Sequence, residues 1–300
     1  MTQTMPTPMS QPLIAAAVQM SSTPDVAQNL GEARRWAMEA ARAGATLISL
    51  PEYFCWIGDD EKQRVALAES FGDGPIQHAL AQLARDTGAW LIGGTVPVKP
   101  SHGPQAGTHA YNTALLFSPD GQCAARYDKI HLFSFNQGAE RHAESDTMVG
   151  GDSVGTAHGP FGTLRLSVCY DLRFPELYRA GPAADVIAVP AAFTHTTGLA
   201  HWELLLRARA VENQAFVLAS GQCGMHSNGW RTFGHSMIIG PWGEVLARHD
   251  EGPGLAIATL DPALLDAARG RLPVLTHRRI ATPATVAPQQ AASITKATPD

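Results

Sequence analysis

A cysteine at the end of a predicted buried strand is the first candidate for chemistry in this sequence. Cys169 lies in LSVCYDLRFPELYR (166–179), where an apolar strand ends and Pro175 fits the first turn of a short helix. A helix N-terminus and a nearby cation both lower a thiol pKa, so this position predicts a reactive thiolate. The commoner outcome for a lone cysteine is a buried, inert thiol. That packing role is predicted for the other three cysteines, Cys55, Cys123 and Cys223.

Two charged residues also follow predicted strands directly. Glu52 comes after TLISL and Pro51, and Lys129 comes after QCAARYD. An ionisable group beside a buried strand is costly unless it is partnered or has a function. Ligands in sheets of this type collect outside the carboxyl ends of the strands. The spacing therefore predicts a pocket that holds a nucleophile, a base and a cation, with ordinary surface charges as the alternative.

The familiar cofactor and metal motifs are absent from the sequence. It contains no G-x-x-x-x-G-K-[ST], no G-x-G-x-x-G, no H-E-x-x-H and no C-x-x-C pair, although it has 12 histidines. The segment 151–155 fits G-x-S-x-G, but a polar loop precedes it and turn residues follow, whereas a nucleophile elbow needs a strand and a helix. No cofactor and no metal are expected.

Composition excludes several classes of protein. The 300 residues carry 22 Lys and Arg against 27 Asp and Glu, a net charge of −5, which argues against nucleic-acid binding. Apolar residues make up 45% of the chain, so a sizeable core can form. Four cysteines are too few for a disulfide scaffold, and no signal or membrane segment is apparent. These features predict a cytoplasmic protein without membrane contact.

The elements that must position these residues alternate between strands and helices in the first hundred residues. Strands are predicted at 13–20, 46–50 and 90–98, and helices at 28–43 and 75–87. A hairpin (111–118 with 122–130), a long polar loop (134–152) and a second hairpin returning at 163–168 follow. Later strands are predicted at 185–193, 215–222, 236–240, 244–248 and 255–261, with helices near 200–214 and 262–269. The pattern predicts an α/β fold with two sheets in one domain, 13–280, between a disordered segment, 1–12, and a tail, 281–300, that is mobile or contacts another subunit.

Three sequence segments, in this order, resemble the nitrilase superfamily of carbon–nitrogen hydrolases. They are LPEYF (50–54), YDKIHLF (127–133) and SVCYDLRFPELYR (167–179), and the resemblance runs from about residue 13 to 280. It implies a four-layer α-β-β-α sandwich, no cofactor, and a homodimer or higher homo-oligomer.

The resemblance also assigns roles to individual residues. It implies that Glu52 is the general base, Lys129 the catalytic lysine and Cys169 the nucleophile, with Glu144 as a second glutamate beside the lysine. Cys169 would attack an amide carbonyl, and Lys129 and the N–H of Tyr170 would stabilise the oxyanion. A thioester acyl-enzyme would form, and water activated by Glu52 would hydrolyse it.

Two longer segments, 193–214 and 221–243, resemble the deaminated glutathione amidase branch of this superfamily. That branch implies a carboxylate-bearing amide substrate cleaved to 2-oxoglutarate and cysteinylglycine. An ω-amidase for 2-oxoglutaramate, another amide, carbamoyl or nitrile hydrolase, and a catalytically silent binding protein are the alternatives. The sequence departs from the expected branch pattern at His195, Thr196, Trp230 and Gly240.

Three further residues are candidates for substrate binding together with Tyr170. Arg173 lies four residues after the nucleophile and could hold a substrate carboxylate with two hydrogen bonds, whereas its structural alternative is an ion pair with Asp171 or Glu176. Thr197 and His201 lie in the branch-specific segment and could line the pocket, although a capping or core role is an equal alternative for His201.

Overall fold

The computed structural model describes residues 8–101, 105–137 and 140–280, with side chains for all of these except 136, 137 and 140–142. The strands, numbered in chain order, are Leu13–Gln19 (β1), Leu47–Ser49 (β2), Trp90–Ile92 (β3), Val96–Val98 (β4), Ala110–Phe117 (β5), Cys123–Asp128 (β6), Ser134–Gln137 (β7), Glu140–Ala143 (β8), Met148–Val149 (β9), Thr156–Gly159 (β10), Gly162–Leu166 (β11), Val186–Ala191 (β12), Phe216–Gly221 (β13), Cys223–Met225 (β14), Arg231–Phe233 (β15), Ser236–Ile239 (β16), Val245–His249 (β17) and Gly254–Leu260 (β18).

The helices follow the same chain-order numbering. They are Val26–Arg42 (α1), Glu61–Ala66 (α2), Pro75–Thr87 (α3), Pro175–Arg179 (α4), His195–Asn213 (α5), Pro262–Arg271 (α6) and Val274–His277 (α7). Short 3₁₀ turns cover Glu144–Asp146 and Cys169–Arg173. The predicted helix 75–87 is confirmed: it begins at Pro75 and ends before Gly88, whose φ of 64° suits a left-handed cap.

Two sheets pack face to face and helices cover their outer faces. The first sheet has the order β18-β1-β2-β3-β5-β4, with β6 and β9 also paired to β5, and the second has the order β10-β11-β12-β13-β16-β17. Helices α1 and α3 cover the first sheet, and α5 covers the second. Alternate residues of β1 divide between the cores: Ala15 and Ala17 face the second sheet, whereas Ala16 and Val18 face the helices. The predicted four-layer α-β-β-α sandwich is confirmed.

The single strand predicted at 90–98 is wrong, because the chain turns in its middle. β3 ends at Ile92 and β4 begins at Val96, and both pair with β5 at different positions. Gly94 has a φ of 57°, and a Cβ there would lie 2.1 Å from the carbonyl oxygen of Pro51. The turn therefore requires glycine, and the two apolar runs on either side form separate strands.

The loop predicted at 134–152 contains regular structure that the polar composition concealed. β7 and β8 form a short hairpin, a 3₁₀ turn follows, and β9 pairs with β5. Helix α2 was also missed, because six residues with mixed charge carry no clear periodicity.

The chain ends differ from the predicted boundaries in one visible respect. Met9, within the segment predicted as disordered, is 6% exposed and packs into the core between the sheets. The predicted tail, 281–300, lies outside the described residues. Among the helices of the described ranges, none combines the length and apolar character needed to cross a bilayer.

Candidate active site

Three strands end at one cavity and bring the predicted chemical groups together. Glu52 follows β2, Lys129 follows β6 directly and Cys169 follows β11. Their side chains line a cavity of about 430 Å³, although the three residues are only 1%, 1% and 7% exposed. β2 and β6 belong to the first sheet and β11 to the second, so the site lies where the two sheets meet.

The Lys129 ammonium lies between two carboxylates. Its Nζ is 2.9 Å from Oε1 of Glu52 and 2.7 Å from Oε2 of Glu144. Burial by itself would lower the pKa of Lys129, but the carboxylates of Glu144 and Glu52 outweigh it and hold the pKa above its ordinary value. Since an ammonium has three N–H donors, one remains for a group in the cavity.

Glu144 is held by hydrogen bonds to both of its oxygens. Oε1 accepts from the Tyr53 hydroxyl (2.6 Å) and from Nδ2 of Asn112 (2.9 Å). Oε2 accepts from Lys129 and from the backbone N–H of Phe133 (2.8 Å). Burial alone would raise the pKa of Glu144, but the Lys129 charge and these donors lower it below its ordinary value. Glu144 is therefore an anion in the folded protein.

Glu52 has one crowded oxygen and one that is partly open. Oε1 accepts from Lys129 and from Nδ2 of Asn112 (2.9 Å). Oε2 accepts from the backbone N–H of Ala192 at 2.8 Å. The Cys169 thiol interacts with the Glu52 carboxylate and with the same Ala192 N–H. The Glu52 carboxylate and the Cys169 thiol are thus neighbours, and Oε2 shares the Ala192 N–H with the sulfur.

Sequence reasoning missed three contributors to this network. Asn112 is a polar residue inside the apolar strand AYNTALLF, and Tyr53 adjoins Glu52, so both carried a signal that could have been used. Ala192 acts through its backbone N–H, for which a side chain gives no signal.

Cys169 sits on a strained turn that a buried carboxylate supports. Its φ of 46° lies in the left-handed region, which costs a non-glycine residue about 1–2 kcal/mol. Asp171, which is fully buried, accepts hydrogen bonds from the N–H of Val168 (2.9 Å), the hydroxyl of Tyr127 (2.7 Å) and the N–H of His131 (3.1 Å). These bonds fix the turn and lift the thiol out of the strand direction.

The predicted lowering of the Cys169 pKa is wrong. Burial and the Glu52 carboxylate raise the pKa of this thiol well above its ordinary value, and Lys129 offsets only part of the increase. The helices that follow Cys169 are five residues long each, so their dipoles are weak. The group in the folded protein is a thiol, and the Glu52 carboxylate lies beside it.

Arg173 and Tyr170 both line the cavity beside Cys169. The guanidinium of Arg173 lies 5.2 Å from the ring centre of Phe193, and its Nη1 is 3.3 Å from Nδ1 of His201. Within the described part of the chain it forms no ion pair with Asp171 or Glu176, because Asp171 is committed to the nucleophile turn. The geometry leaves Arg173 free to meet an anionic group in the cavity.

Two of the predicted binding residues lie outside the cavity lining. Thr197 is buried in the first turn of α5, where its Oγ1 is 2.8 Å from Oγ1 of Thr194. Thr194 lines the cavity in its place. His201 is exposed in a surface groove along α5 and reaches the site only through Arg173.

The outer wall of the cavity comes from α2 and from the β14–β15 connection. Arg64 of α2 is 3% exposed, stacks 3.7 Å from the ring centre of Tyr53, and pairs with Glu61. Trp230 lines the cavity opposite, with its ring 6.5 Å from that of Tyr53. Of the four departures from the branch pattern, Trp230 lines the cavity and the other three do not. His195 and Thr196 lie in the first turn of α5, where His195 packs on Phe233, and Gly240 lies in a buried turn.

The remaining cysteines differ in exposure. Cys55 and Cys223 are buried, and burial raises their pKa values to about 12 and about 11. Cys123 is exposed on β6, so its predicted packing role is wrong. In the ranges that the structure describes, no three metal-ligating side chains cluster.

The sequence matches one protein family over most of its length. The profile of the carbon-nitrogen hydrolase family matches residues 14–270. A deaminated glutathione amidase from Synechocystis sp. (strain PCC 6803 / GT-S) is 44% identical over 276 residues, which cover 89% of this chain and 98% of that protein. A deaminated glutathione amidase from Homo sapiens is 41% identical over 272 residues, covering 89% and 82%.

A solved structure shares the architecture. Saccharomyces cerevisiae Nit3, a member of branch 10 of the nitrilase superfamily, superposes with a TM-score of 0.81 at 30% sequence identity. The superposition covers 91% of this chain and 98% of that one.

Proposed function

This chain belongs to the carbon–nitrogen hydrolase family of the nitrilase superfamily, and from that premise we propose that it hydrolyses deaminated glutathione to 2-oxoglutarate and cysteinylglycine. The observation that carries the proposal is the pair of relatives of that name, from a cyanobacterium and from humans, which are 44% and 41% identical to 89% of the chain. The enzyme is a hydrolase of carbon–nitrogen bonds other than peptide bonds.

The first half of the proposed reaction transfers the acyl group to Cys169. Glu52 takes the thiol proton on Oε2, and the sulfur attacks the amide carbon. The free N–H of Lys129 and the backbone N–H of Tyr170 stabilise the oxyanion. When the carbon–nitrogen bond breaks, Glu52 returns the proton to the leaving nitrogen, which departs as the amino group of cysteinylglycine. A 2-oxoglutaryl thioester remains on Cys169.

The second half returns the enzyme to its starting state. Glu52 takes a proton from water, and the hydroxide attacks the thioester carbon while Lys129 again stabilises the oxyanion. The carbon–sulfur bond breaks, and Glu52 gives its proton back to the sulfur. The hydrogen-bonded anion of Glu144 supports this cycle because it keeps Lys129 charged and in place.

Arg173 is the proposed partner of the 2-oxo acid carboxylate. It lines the same cavity as the nucleophile and forms no carboxylate ion pair in the described ranges. A planar guanidinium can bind a carboxylate with two parallel hydrogen bonds. Its contact with the Phe193 ring supports the orientation of the side chain.

ω-Amidase activity on 2-oxoglutaramate is the second candidate, because this amide delivers the same 2-oxoglutaryl group to Cys169. Both substrates meet the same catalytic groups and the same arginine, so only the leaving group distinguishes them. Assay of released 2-oxoglutarate with each amide separates the candidates. We expect the larger kcat/KM with deaminated glutathione. A larger value with 2-oxoglutaramate would select the second candidate, and no release from either, or from other amides and nitriles, would indicate a silent binding protein.

We also propose that the enzyme is a cytoplasmic homodimer or higher homo-oligomer. Four free cysteines suit a reducing compartment. The groove along α5 exposes large apolar side chains, with Leu199 and Leu204 68% and 67% exposed and Trp242 54% exposed. Several exposed apolar side chains in one groove, with charged residues such as Glu203 and Arg207 beside them, are typical of a subunit interface. Sedimentation of the purified protein tests the assembly, and a monomer at micromolar concentration would contradict it.

A further inference from the structure

Four side chains close a ring of hydrogen bonds at the base of the cavity. Lys129 and Asn112 each bridge Glu52 to Glu144: the ammonium spans them at 2.9 and 2.7 Å, and the Asn112 amide spans them at 2.9 and 2.9 Å. Asn112 is 1% exposed, and its backbone carbonyl accepts the N–H of Lys129 at 2.9 Å. One bridge is therefore charged and the other is neutral.

We propose that Asn112 is a positioning residue that makes the two glutamates unequal, so that Glu144 stays an anion and the proton of Cys169 goes to Oε2 of Glu52. The inference rests on the proposed function only in that Glu52 receives the thiol proton. It adds a residue to the reaction that neither the motifs nor the family resemblance had identified.

The donors around each carboxylate carry the argument. A carboxylate offers about four acceptor positions. Those of Glu144 are filled by Tyr53, Asn112, Lys129 and the N–H of Phe133. Glu144 consequently has no position left for a proton from water or from substrate.

Glu52 has three donors, and their distribution selects one oxygen. Lys129 and Asn112 fill Oε1, whereas Oε2 accepts only the N–H of Ala192 among the described residues. The same N–H interacts with the Cys169 sulfur, and the thiol interacts with the Glu52 carboxylate, so the remaining acceptor position on Oε2 is the one available to the thiol proton. Without Asn112, Oε1 would also be open, and a proton could settle where it does not reach the sulfur.

An amide suits this position because it carries no charge. Three buried groups that can change charge (Glu52, Glu144 and Cys169) surround Lys129, and Tyr53 and Arg64 lie close by. An amide donates two N–H groups at every pH, whereas an aspartate would add a third negative charge and a leucine would donate nothing. Asparagine thus supports both anions and does not titrate with them.

Asn112→Leu tests the proposal, with two rates measured across pH. One is kcat/KM for deaminated glutathione, and the other is alkylation of Cys169 by iodoacetamide, with Cys169→Ala to subtract labelling of the exposed Cys123. Because the carboxylates of the ring lose a donor that stabilises their anions, we expect the acidic limb of both profiles to move up by about one pH unit. The alkylation series does not depend on the physiological amide, so it still tests Asn112 if the wild type hydrolyses neither amide.

Asn29→Leu is the matched control. Asn29 is 2% exposed, and its Nδ2 donates to the backbone carbonyls of Thr23 (2.7 Å) and Cys55 (2.9 Å), outside the cavity lining. The Asn29→Leu variant should be less stable than the wild type, but neither of its two pH profiles should shift. If Asn112→Leu does not fold, Asn112→Ser replaces it in the test. Because serine keeps one donor, the acidic limb of its pH profiles should move by less. An unshifted limb in a folded Asn112 variant, or an equal shift in Asn29→Leu, would overturn the proposal.

Discussion

The floor of the cavity and its outer wall are built in opposite ways. The floor, which we define as Glu52, Asn112, Lys129, Glu144 and Cys169, is almost entirely buried and joined by hydrogen bonds. The wall, defined as α2, Trp230 and Arg173, mixes exposed side chains with aromatic rings.

The difference indicates that the floor and the wall have different roles. A buried floor whose side chains are joined by hydrogen bonds holds charge in fixed places, which is what stabilisation of an oxyanion requires. A wall of longer and partly exposed side chains can adapt to the shape and charge of a substrate. Changes in the floor should therefore lower kcat, and changes in the wall should act mainly on KM.

The strongest test of the floor is Lys129→Met. The variant removes the ammonium that we assign to the oxyanion and leaves two buried carboxylates without their cation. We expect kcat to fall about 10²–10³-fold, with a much smaller change in KM. Steady-state kinetics with released 2-oxoglutarate check this, provided circular dichroism shows a folded protein. A Lys129→Met variant that retains half of the wild-type kcat would contradict the claim that changes in the floor lower kcat.

Glu144→Gln should lower kcat less, because the ammonium remains. Its stability should also reveal the charge of Glu144. The folded-state pKa of Glu144 lies below its ordinary value, so the carboxylate contributes stability above its unfolded pKa, and that stability is lost as pH falls through the folded pKa. The difference in Tm between wild type and variant, measured by calorimetry from pH 7 downward, should narrow. A Tm difference that does not change with pH would show that the charge of Glu144 contributes no stability.

Arg173→Met tests the wall and should act on KM. A charge-assisted hydrogen bond is worth about 1.5–3 kcal/mol, which corresponds to about a 10–150-fold increase in KM. Deaminated glutathione and 2-oxoglutaramate should be affected alike, because both carry the 2-oxo acid carboxylate. Arg173→Lys, which keeps the charge, should recover part of the loss. A fall in kcat with unchanged KM would show that Arg173 acts on the reaction as the floor residues do, and would contradict its assignment to the wall.

Trp230→Leu should have the smallest effect. The ring lies at the cavity edge against Tyr53 and His226, so its removal opens the wall and leaves the floor intact. We expect KM for deaminated glutathione to rise a few-fold and kcat to stay within about twofold, as for a lost contact of about 1 kcal/mol. If Trp230→Leu lost more kcat than Glu144→Gln, the expectation that floor variants lose more kcat than wall variants would be wrong.

Most of the floor could be predicted from sequence, whereas in the wall Arg173 was predicted and α2 was missed. Glu52 and Cys169 each follow an apolar run, and Lys129 follows the second strand of a predicted hairpin, so all three lie at strand ends, where ligands collect in such sheets. The network around them was harder to foresee, because Asn112 bridges residues 60 positions before it and 32 positions after it.

Burial explains why the predicted thiolate was wrong. The sequence places a helix start after Cys169, but it does not reveal that Glu52 would lie against the sulfur and raise its pKa. In the wall, α2 is too short for a periodic pattern. Outside the cavity lining, the position of Thr197 depends on how Thr194 caps the first turn of α5. Such features depend on packing between distant segments.

The mass of Cys169 during turnover tests the central claim most directly. The protein is mixed briefly with deaminated glutathione, quenched in acid, and analysed intact and after digestion, with Cys169→Ala as the control. The account predicts a 2-oxoglutaryl thioester on the peptide that carries Cys169 and none in the control. Release of 2-oxoglutarate without any adduct on Cys169, or an adduct on another residue that also forms in Cys169→Ala, would contradict it.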